Sequence, residues 1–471
     1  MPPANRGRDL GPAMPRAVLD LIAALRAAGH AAYVVGGSIR DLLLDREPPD
    51  WDLATDALPE RVQALLPGAA YENKFGTVAV RRGGLESQIT TFREDHDYAD
   101  FRRPHRVEFG TSIEADLARR DFTVNAMAWG APAAPTAKLG LVDPFGGQAD
   151  LAARLLRAVG DPTKRFDEDA LRMVRAIRFA TTLGFTIDAA TLAALRQRAD
   201  LTRHLSGERI AGELDRLLAA GQPSAGLALA ADTGLLAVLF PELESQRGLP
   251  QNKTPGEDLW QHTLRTVDAA PRENEIVRLA ALLHDIGKPP TLSGGRFPGH
   301  DVVGAEMARG LLERLHASRE RVDRVSHLVR HHMFHLERGA SDAAIRRFIV
   351  RIGADSVDDL LDLRAADNVG SGRPPNAGRL HELRRHVHEQ LEAKVALDRH
   401  RLKVDGRDLM AALGLPPGPA LGAVIDELTE RVIGDQSLNE RETLLRLARE
   451  IVGTGGAAPG TDRATTAGKA T

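Results

Sequence analysis

The sequence predicts an α+β protein: an N-terminal head with a small mixed sheet, followed by an all-helical neck, body and tail. Three observations carry that prediction. The strand-like runs "AAYVV", "FGTVAVRR" and "ESQITTFR" all lie in the first 150 residues. From about Leu151, apolar residues recur at helical spacing almost to Ile451. Pro- and Gly-rich breaks at "FPELESQRGLPQNKTPGED", "KPPTLSGGRFPGHD", "SGRPPNAG" and "LPPGPALG" then cut the helical part into pieces. With 471 residues, and roughly 100–200 residues per domain, about three modules are expected. The division is a disordered 1–14, a head at 15–150, a neck at 151–225, a body at 226–395, a tail at 396–452 and a disordered 453–471.

Composition narrows the function. The chain is 43% hydrophobic and 27% charged, ordinary for a soluble globular protein. No apolar run reaches the ~18 residues of a membrane span, and the polar N-terminus lacks the core of a signal peptide. Cysteine is absent, which excludes disulfides, thiolate metal sites and cysteine nucleophiles. A cytoplasmic location and no membrane partner are the expectations. A net charge of −3 argues against a broadly basic nucleic-acid binder. It leaves room for local basic surfaces, and "FRRPHR", "ARRDF" and "RLLRAVGDPTKRF" crowd the first 180 residues.

In the head, "PRAVLDLIAALRAAG" reads as an amphipathic helix stopped at Gly29. The strand after it runs into Gly36-Gly37, and a short helix carrying Arg40 follows. Two glycines between strand and helix let backbone N–H groups approach a phosphate, with the helix dipole in support; the same pair also serves as a plain tight turn. In "DWDL", Asp50 and Asp52 share a face if the segment is a strand. They are a candidate pair of Mg²⁺ ligands for a two-ion transfer site, or two solvated acids on a loop. A third carboxylate is sought on "ESQITTFR", where Glu86 and the neutral Gln88 share a face. In "ARRDFTVNAMAW", Arg119 and Arg120 are candidates to clamp a triphosphate and Asp121 to accept from a ribose hydroxyl. A surface ion pair at a helix start fits the same residues.

In the neck, Asp169, Arg172, Arg175 and Arg178 recur every three residues, which makes a solvated basic stripe or a base reader. Cytosine and adenine both present an amino donor beside a ring-nitrogen acceptor. A carboxylate from Asp169 and a guanidinium from Arg172 complement that order and reject uracil and guanine. Arg175 and Arg178 are then near the ring or the phosphates.

Together "VVGGSIRDLLL", "DWDLAT", "ITTFR", "DLARRDFTVNAMA", "DPFGG", "RAVGDP", "RFDEDALRMVRAIRFA" and "GERIAGEL" resemble the class II tRNA nucleotidyltransferases, the CCA-adding enzymes and their poly(A) polymerase relatives. The resemblance is dense over about residues 15–220 and looser beyond. It implies that Asp50 and Asp52 bind catalytic Mg²⁺, that Gly36, Gly37, Arg40 and Arg120 hold the triphosphate, and that Asp121 belongs to the ribose-facing motif. It implies base reading by Asp169 and Arg172 beside Arg175 and Arg178. The partners implied are CTP, ATP and the tRNA acceptor arm. "REDHDYADFRRPHRVEF" matches the flexible loop that full CCA-adding members use in the switch from C to A. One departure stands out: where the family often has an acid directly before "ITTFR", this chain has Gln88.

In the body, His262, His284, Asp285 and Asp367 match the H…HD…D order of the HD superfamily of metal-dependent phosphohydrolases, with His300 and His331 as further candidate ligands of a second divalent metal. Three alternatives to CCA addition follow: an A-adding or poly(A)-adding relative, an HD phosphohydrolase with a degenerate head, and an RNA-binding nucleotide sensor without turnover.

Overall fold

A computed structural model describes residues 9–73, 76–98, 104–134, 136–251, 256–337, 339–393 and 402–455. The head is built on strands β1 (Ala32–Val35), β2 (Trp51–Thr55), β3 (Ala70–Asn73), β4 (Thr77–Arg82), β5 (Leu85–Thr91), β6 (Arg93–Tyr98), β7 (Pro104–Phe109), β8 (Ala128–Ala131) and β9 (Gly140–Val142). Seven of them form one sheet in the order β3-β4-β5-β2-β1-β8-β9, with β2 and β5 parallel and the other pairs antiparallel. The sheet is wider than the three strand-like runs suggest. β8 is Ala-Trp-Gly-Ala, and its alanine and glycine give none of the β-branched signal that marks a strand in sequence.

Alternation along the strands divides the head's core. Val34, Leu53, Ile89 and Trp129 face the Arg16–Ala27 helix, whose Val18, Leu21, Ile22 and Leu25 recur on one side. Tyr33, Val35, Ala54 and Ala128 face the opposite way and pack with Ile113 and Leu117 of the Ile113–Ala118 helix. Residues 9–14 correct the expectation of a disordered start. Gly11–Ala13 form a 3₁₀ turn, and Leu10 and Met14 bury in the head core, so these two apolar side chains outweigh the polar, Pro-rich composition. At the other end the Arg441–Gly455 helix runs past the expected limit at 453.

The flexible-loop motif lies on Arg93–Phe109. Its two arms pair antiparallel as β6 and β7, and residues 99–103 fall outside the described residues. Beyond the head the described residues are mainly helical, apart from a short parallel pairing of Leu155–Leu156 with Thr186–Ile187 and a few isolated bridges. One apolar cluster continues without a break from Leu10 in the head, through Ile177 and Leu217, to Val387. The tail has a separate cluster that runs from Val404 to Ala448. Arg346 joins the two, donating to the carbonyls of Ile433 at 2.6 Å and Gly434 at 3.1 Å at the end of the Pro419–Gly434 helix, and to Gln390 Oε1 at 2.9 Å. No helix among the described residues is long and apolar enough to cross a membrane.

Gly130 sets the spacing of β8 against β1. A Cβ there would lie 2.1 Å from the Ala32 carbonyl oxygen and 2.7 Å from Tyr33 Cα, both rigid backbone atoms. Gly130→Ala is expected to destabilise the chain by about 2–4 kcal/mol in urea unfolding. Gly140→Ala on β9, where nothing lies within 4 Å, is expected to change stability by less than about 1 kcal/mol. Equal midpoints for the two variants would contradict this packing.

Candidate functional site

The Gly36-Gly37 turn lies at the end of β1. Gly36 has φ 74 and ψ −129, a backbone conformation open to glycine and strained for other residues, and its N–H donates to the Met127 carbonyl at 3.1 Å. The turn feeds the Gly37–Leu43 helix, and two guanidiniums flank it. A Cβ on Gly36 would sit 2.6 Å from Arg120 Nη1, and one on Gly37 3.5 Å from Arg40 Nη2. Glycine here keeps the space against the arginines open. Arg120 and Arg119 are both anchored by Asp116, a carboxylate 1% exposed. Burial alone would raise the pKa of Asp116; the two arginines outweigh it and hold the group ionised, below its ordinary value. Arg40 chelates Asp41 at 2.8 and 2.9 Å and donates to Asn125 Oδ1 at 2.8 Å.

The acidic pair lies beside this turn. Ser38 Oγ, in the first turn of the helix, donates to the Asp50 carbonyl at 3.1 Å. Asp50 immediately precedes β2 and is exposed; Asp52 is the second residue of β2 and half-buried, on the side of Ala54 rather than of Trp51 and Leu53. The parallel register places Gln88 directly across from Asp52. Glu86, the other candidate third ligand, is paired with Arg81 at 2.8 Å. The oxygens nearest in register to the acidic pair therefore include a neutral amide where the family often has a carboxylate.

Asp121 forms the junction between head and neck. Its carboxylate accepts from Arg175 Nε at 2.8 Å and Nη2 at 2.7 Å, from Asn125 Nδ2 at 3.1 Å and from the Phe122 N–H at 2.8 Å. Burial raises its pKa, but Arg175 and the Asn125 bond outweigh it and bring the group down from 3.8 to about 2. Arg178 pairs with the buried Glu213 at 2.8 Å, and Glu213 also holds Arg216 at 3.0 Å. The guanidiniums of Arg40, Arg175 and Arg178 lie 5.3, 5.2 and 3.6 Å from the centroid of the Phe179 ring. Arg175, expected beside the nucleotide, is thus engaged in joining neck to head, and Arg178 in tying two neck helices together.

Asp169 and Arg172 are held by different partners. Asp169 Oδ2 accepts from Arg209 at 2.7 Å and Oδ1 from the Leu171 N–H at 3.0 Å. Arg172 donates to Glu168, to the Arg165 carbonyl at 2.9 Å and to the Arg119 carbonyl at 2.9 Å. Among the described residues these bonds use three of its five N–H groups.

In the body, His262, His284, Asp285 and Asp367 meet in the interior. His262 Nε2 lies 3.0 Å from His284 Nε2, 3.3 Å from Asp285 Oδ2 and 3.3 Å from Asp367 Oδ1. His300 joins them, 3.5 Å from Asp285 Oδ1. The sixth member is His332, at 3.6 Å, rather than His331. His331 ends the Arg319–His331 helix and turns to His327, 4.5 Å away between ring centroids; burial and that neighbour lower its pKa to about 4.

Asp116, Glu168, Arg209 and Glu213 were not singled out by sequence reasoning. Arg209 and Glu213 both lie in "GERIAGEL", so the motif was visible while the partners of its charges were not.

Residues 32–157 match the poly A polymerase head domain, residues 184–247 the probable RNA and SrmB-binding site of polymerase A, and residues 259–369 the HD domain. The chain is 34% identical over 430 residues to the CCA-adding enzyme of Geobacillus stearothermophilus, an alignment covering 90% of this chain and 94% of that one. It is 31% identical over 438 residues to the CCA-adding enzyme of Streptococcus mutans, covering 92% and 96%. Among solved structures, the Bacillus stearothermophilus CCA-adding enzyme in complex with CTP matches with a TM-score of 0.72 at 30% identity, covering 94% of this chain and 99% of that one. The Thermotoga maritima CCA-adding enzyme complexed with tRNA shares the fold, with a TM-score of 0.57 at 21% identity over 93% and 96% of the two chains.

The Asp121 junction has a pH signature. Its folded pKa of about 2 lies below the ordinary 3.8. It therefore contributes about 2 kcal/mol that is present above the unfolded pKa and is lost as pH falls from about 5 to about 2. Asp121→Asn is expected to cost about 2 kcal/mol at pH 7, since Arg175 loses its nearest counter-ion and keeps only Glu213 at 3.7 Å. Its urea midpoint should then fall less steeply than the wild-type midpoint between pH 5 and pH 3. Parallel pH profiles would remove Asp121 from this role.

Proposed function

The chain belongs to the CCA-adding enzyme family, and from that premise we propose that it is a tRNA nucleotidyltransferase adding C, C and A to the tRNA 3′ end. It draws on CTP and ATP, uses no nucleic-acid template and releases one pyrophosphate per addition. The observation that carries this proposal is the joining of the Gly36-Gly37 turn, Arg40 and Arg120 to the Asp50–Asp52 segment through Ser38. A phosphate-binding turn next to two carboxylates is what transfer of a nucleotidyl group needs. It works in the cytoplasm, where its tRNA and nucleoside triphosphates are.

The tRNA 3′ hydroxyl attacks the α-phosphorus, the bond from that phosphorus to the bridging oxygen breaks, and pyrophosphate leaves. The turn's backbone N–H groups, the N-terminus of the Gly37–Leu43 helix and the two guanidiniums orient the triphosphate and balance the charge that grows on pyrophosphate. Asp50 and Asp52 are hard oxygen donors and fit Mg²⁺, with the Gln88 amide oxygen or water beside Asp52. Bound Mg²⁺ supplies charge neutralisation at the attacking and leaving oxygens. Asp169 accepts from the base amino group and Arg172 donates to the ring nitrogen. Glu168 and two backbone carbonyls hold Arg172 in place, so the protein itself presents a fixed pairing edge. Asp121 sets the neck helix against the head, so the base-reading and phosphate-holding groups keep one spacing. His262, His284, Asp285 and Asp367 would hold a second divalent cation in the body, and their two imidazoles would favour a borderline metal over Mg²⁺.

With a tRNA lacking its terminal CCA, and CTP, ATP and Mg²⁺, the full chain is expected to restore all three nucleotides. Extension by A alone would assign it instead to the A-adding relatives. Asp50→Ala or Asp52→Ala should lower addition on the order of 1,000-fold. An activity that survives Asp50→Ala unchanged would move the main function to the body. Asp169→Ala should admit UTP and GTP while weakening tRNA binding little. Undiminished rejection of both would remove Asp169 from base reading.

A further inference from the structure

One buried carboxylate serves two arginines in the head. Asp116 lies in the Ile113–Ala118 helix and is 1% exposed. Its two oxygens grip unequally. Oδ1 accepts from Arg119 Nη2 at 2.6 Å and Nε at 3.0 Å, whereas Oδ2 accepts from Arg120 Nη2 at 3.3 Å. The first grip is short and doubled, and the second is at the long end of hydrogen bonding.

Arg119 is tied down through its main chain as well. Its carbonyl accepts from Arg172 Nη2 at 2.9 Å, across the junction of head and neck. Arg120 is not spent in the same way. Its Nε is buried without a hydrogen-bond partner among the described residues. Its Nη1 stands against Gly36, 2.6 Å from where a Cβ on that residue would lie. Arg120 thus combines a long hydrogen bond, an unmade one and a position beside the phosphate turn. A buried N–H without a partner costs free energy that an added anionic acceptor recovers.

Charge gives the sharing its purpose. A guanidinium drawn from a buried carboxylate onto a triphosphate would leave that carboxylate without a counter-ion, a state that burial penalises heavily. With Arg119 in place, the charge on Asp116 stays compensated when Arg120 shifts.

We propose that Asp116 and Arg119 are positioning residues that make Arg120 exchangeable: Asp116 holds Arg120 beside the Gly36-Gly37 turn, and Arg119 remains as the counter-ion of Asp116 when a triphosphate takes Arg120. The proposal rests on the nucleotide-transfer function proposed above and deepens it. Because the exchange acts at the phosphates, it serves CTP and ATP alike.

Steady-state addition to tRNA by the full-length chain, with KM and kcat measured for each nucleotide, tests it. Arg119→Gln leaves Asp116 with Arg120 alone, so KM for CTP and for ATP should both rise on the order of 10-fold while kcat stays within about twofold. Asp116→Asn combined with Arg119→Gln removes the charge that would be stranded, and should bring both KM values back to within about threefold of wild type. Unchanged KM values in Arg119→Gln overturn the proposal. So do KM values raised equally in the double variant, because Arg119 would then touch the nucleotide itself. Urea midpoints check that both variants fold, and Arg119→Gln alone still decides if the double variant does not. A wild-type chain that adds no nucleotide would instead overturn the function proposed above.

Discussion

The ion pair between Asp121 and Arg175 is the interaction on which the arrangement of the proposed nucleotide site depends. It crosses from the head to the neck helix. Through Asn125 it reaches Arg40 at the phosphate turn, and through Arg175 it reaches the neighbourhood of Glu213 and Arg178. The backbone strengthens the same junction, since the Val159 N–H donates to the Asp121 carbonyl and the Thr123 N–H to the Arg157 carbonyl. A buried charge pair is a poor source of net stability against apolar packing, because both ions lose their hydration. Its value here is directional. An apolar contact tolerates sliding, whereas a carboxylate that takes Arg175 Nε and Nη2 on one oxygen, and the Phe122 N–H and Asn125 Nδ2 on the other, fixes one helix orientation.

The charged neck stripe acquires a different meaning from this junction. Four residues at a spacing of three divide their labour along the helix. Asp169 and Arg172 stand near its start with polar capacity remaining. Arg175 and Arg178, one and two turns further, are consumed in the internal ion pairs with Asp121 and Glu213. Phe179 seats three guanidiniums around one ring, so the basic character of this region is largely internal architecture.

Local chemistry was legible in the sequence where it depends on neighbours along the chain. Gly36-Gly37 between strand and helix, Asp50 and Asp52 around Trp51, and His284-Asp285 after an apolar run each carry their own signal. What depends on distant residues was not. Nothing in "AWGA" marks a strand until β1 and β9 are placed beside it. Both His331 and His332 follow the same apolar pattern, and only the end of the Arg319–His331 helix decides which one faces Asp285. The third-ligand question turned on strand register: β2 and β5 align Gln88 with Asp52, a pairing that neither strand states alone.

The tail's attachment has its own consequence for how this protein can change. Arg346 grips two main-chain carbonyls at the end of a tail helix, and every residue type offers the same carbonyl. This half of the joint therefore reads the helix's geometry rather than its sequence, while Arg347, 3.8 Å from Glu430 of the same tail helix, adds one contact that does depend on a side chain. Tail surfaces away from that contact are free to drift as long as the helix ends in the same turn. Within a single polypeptide this is a connector whose main socket is a helix terminus and whose plug is an arginine.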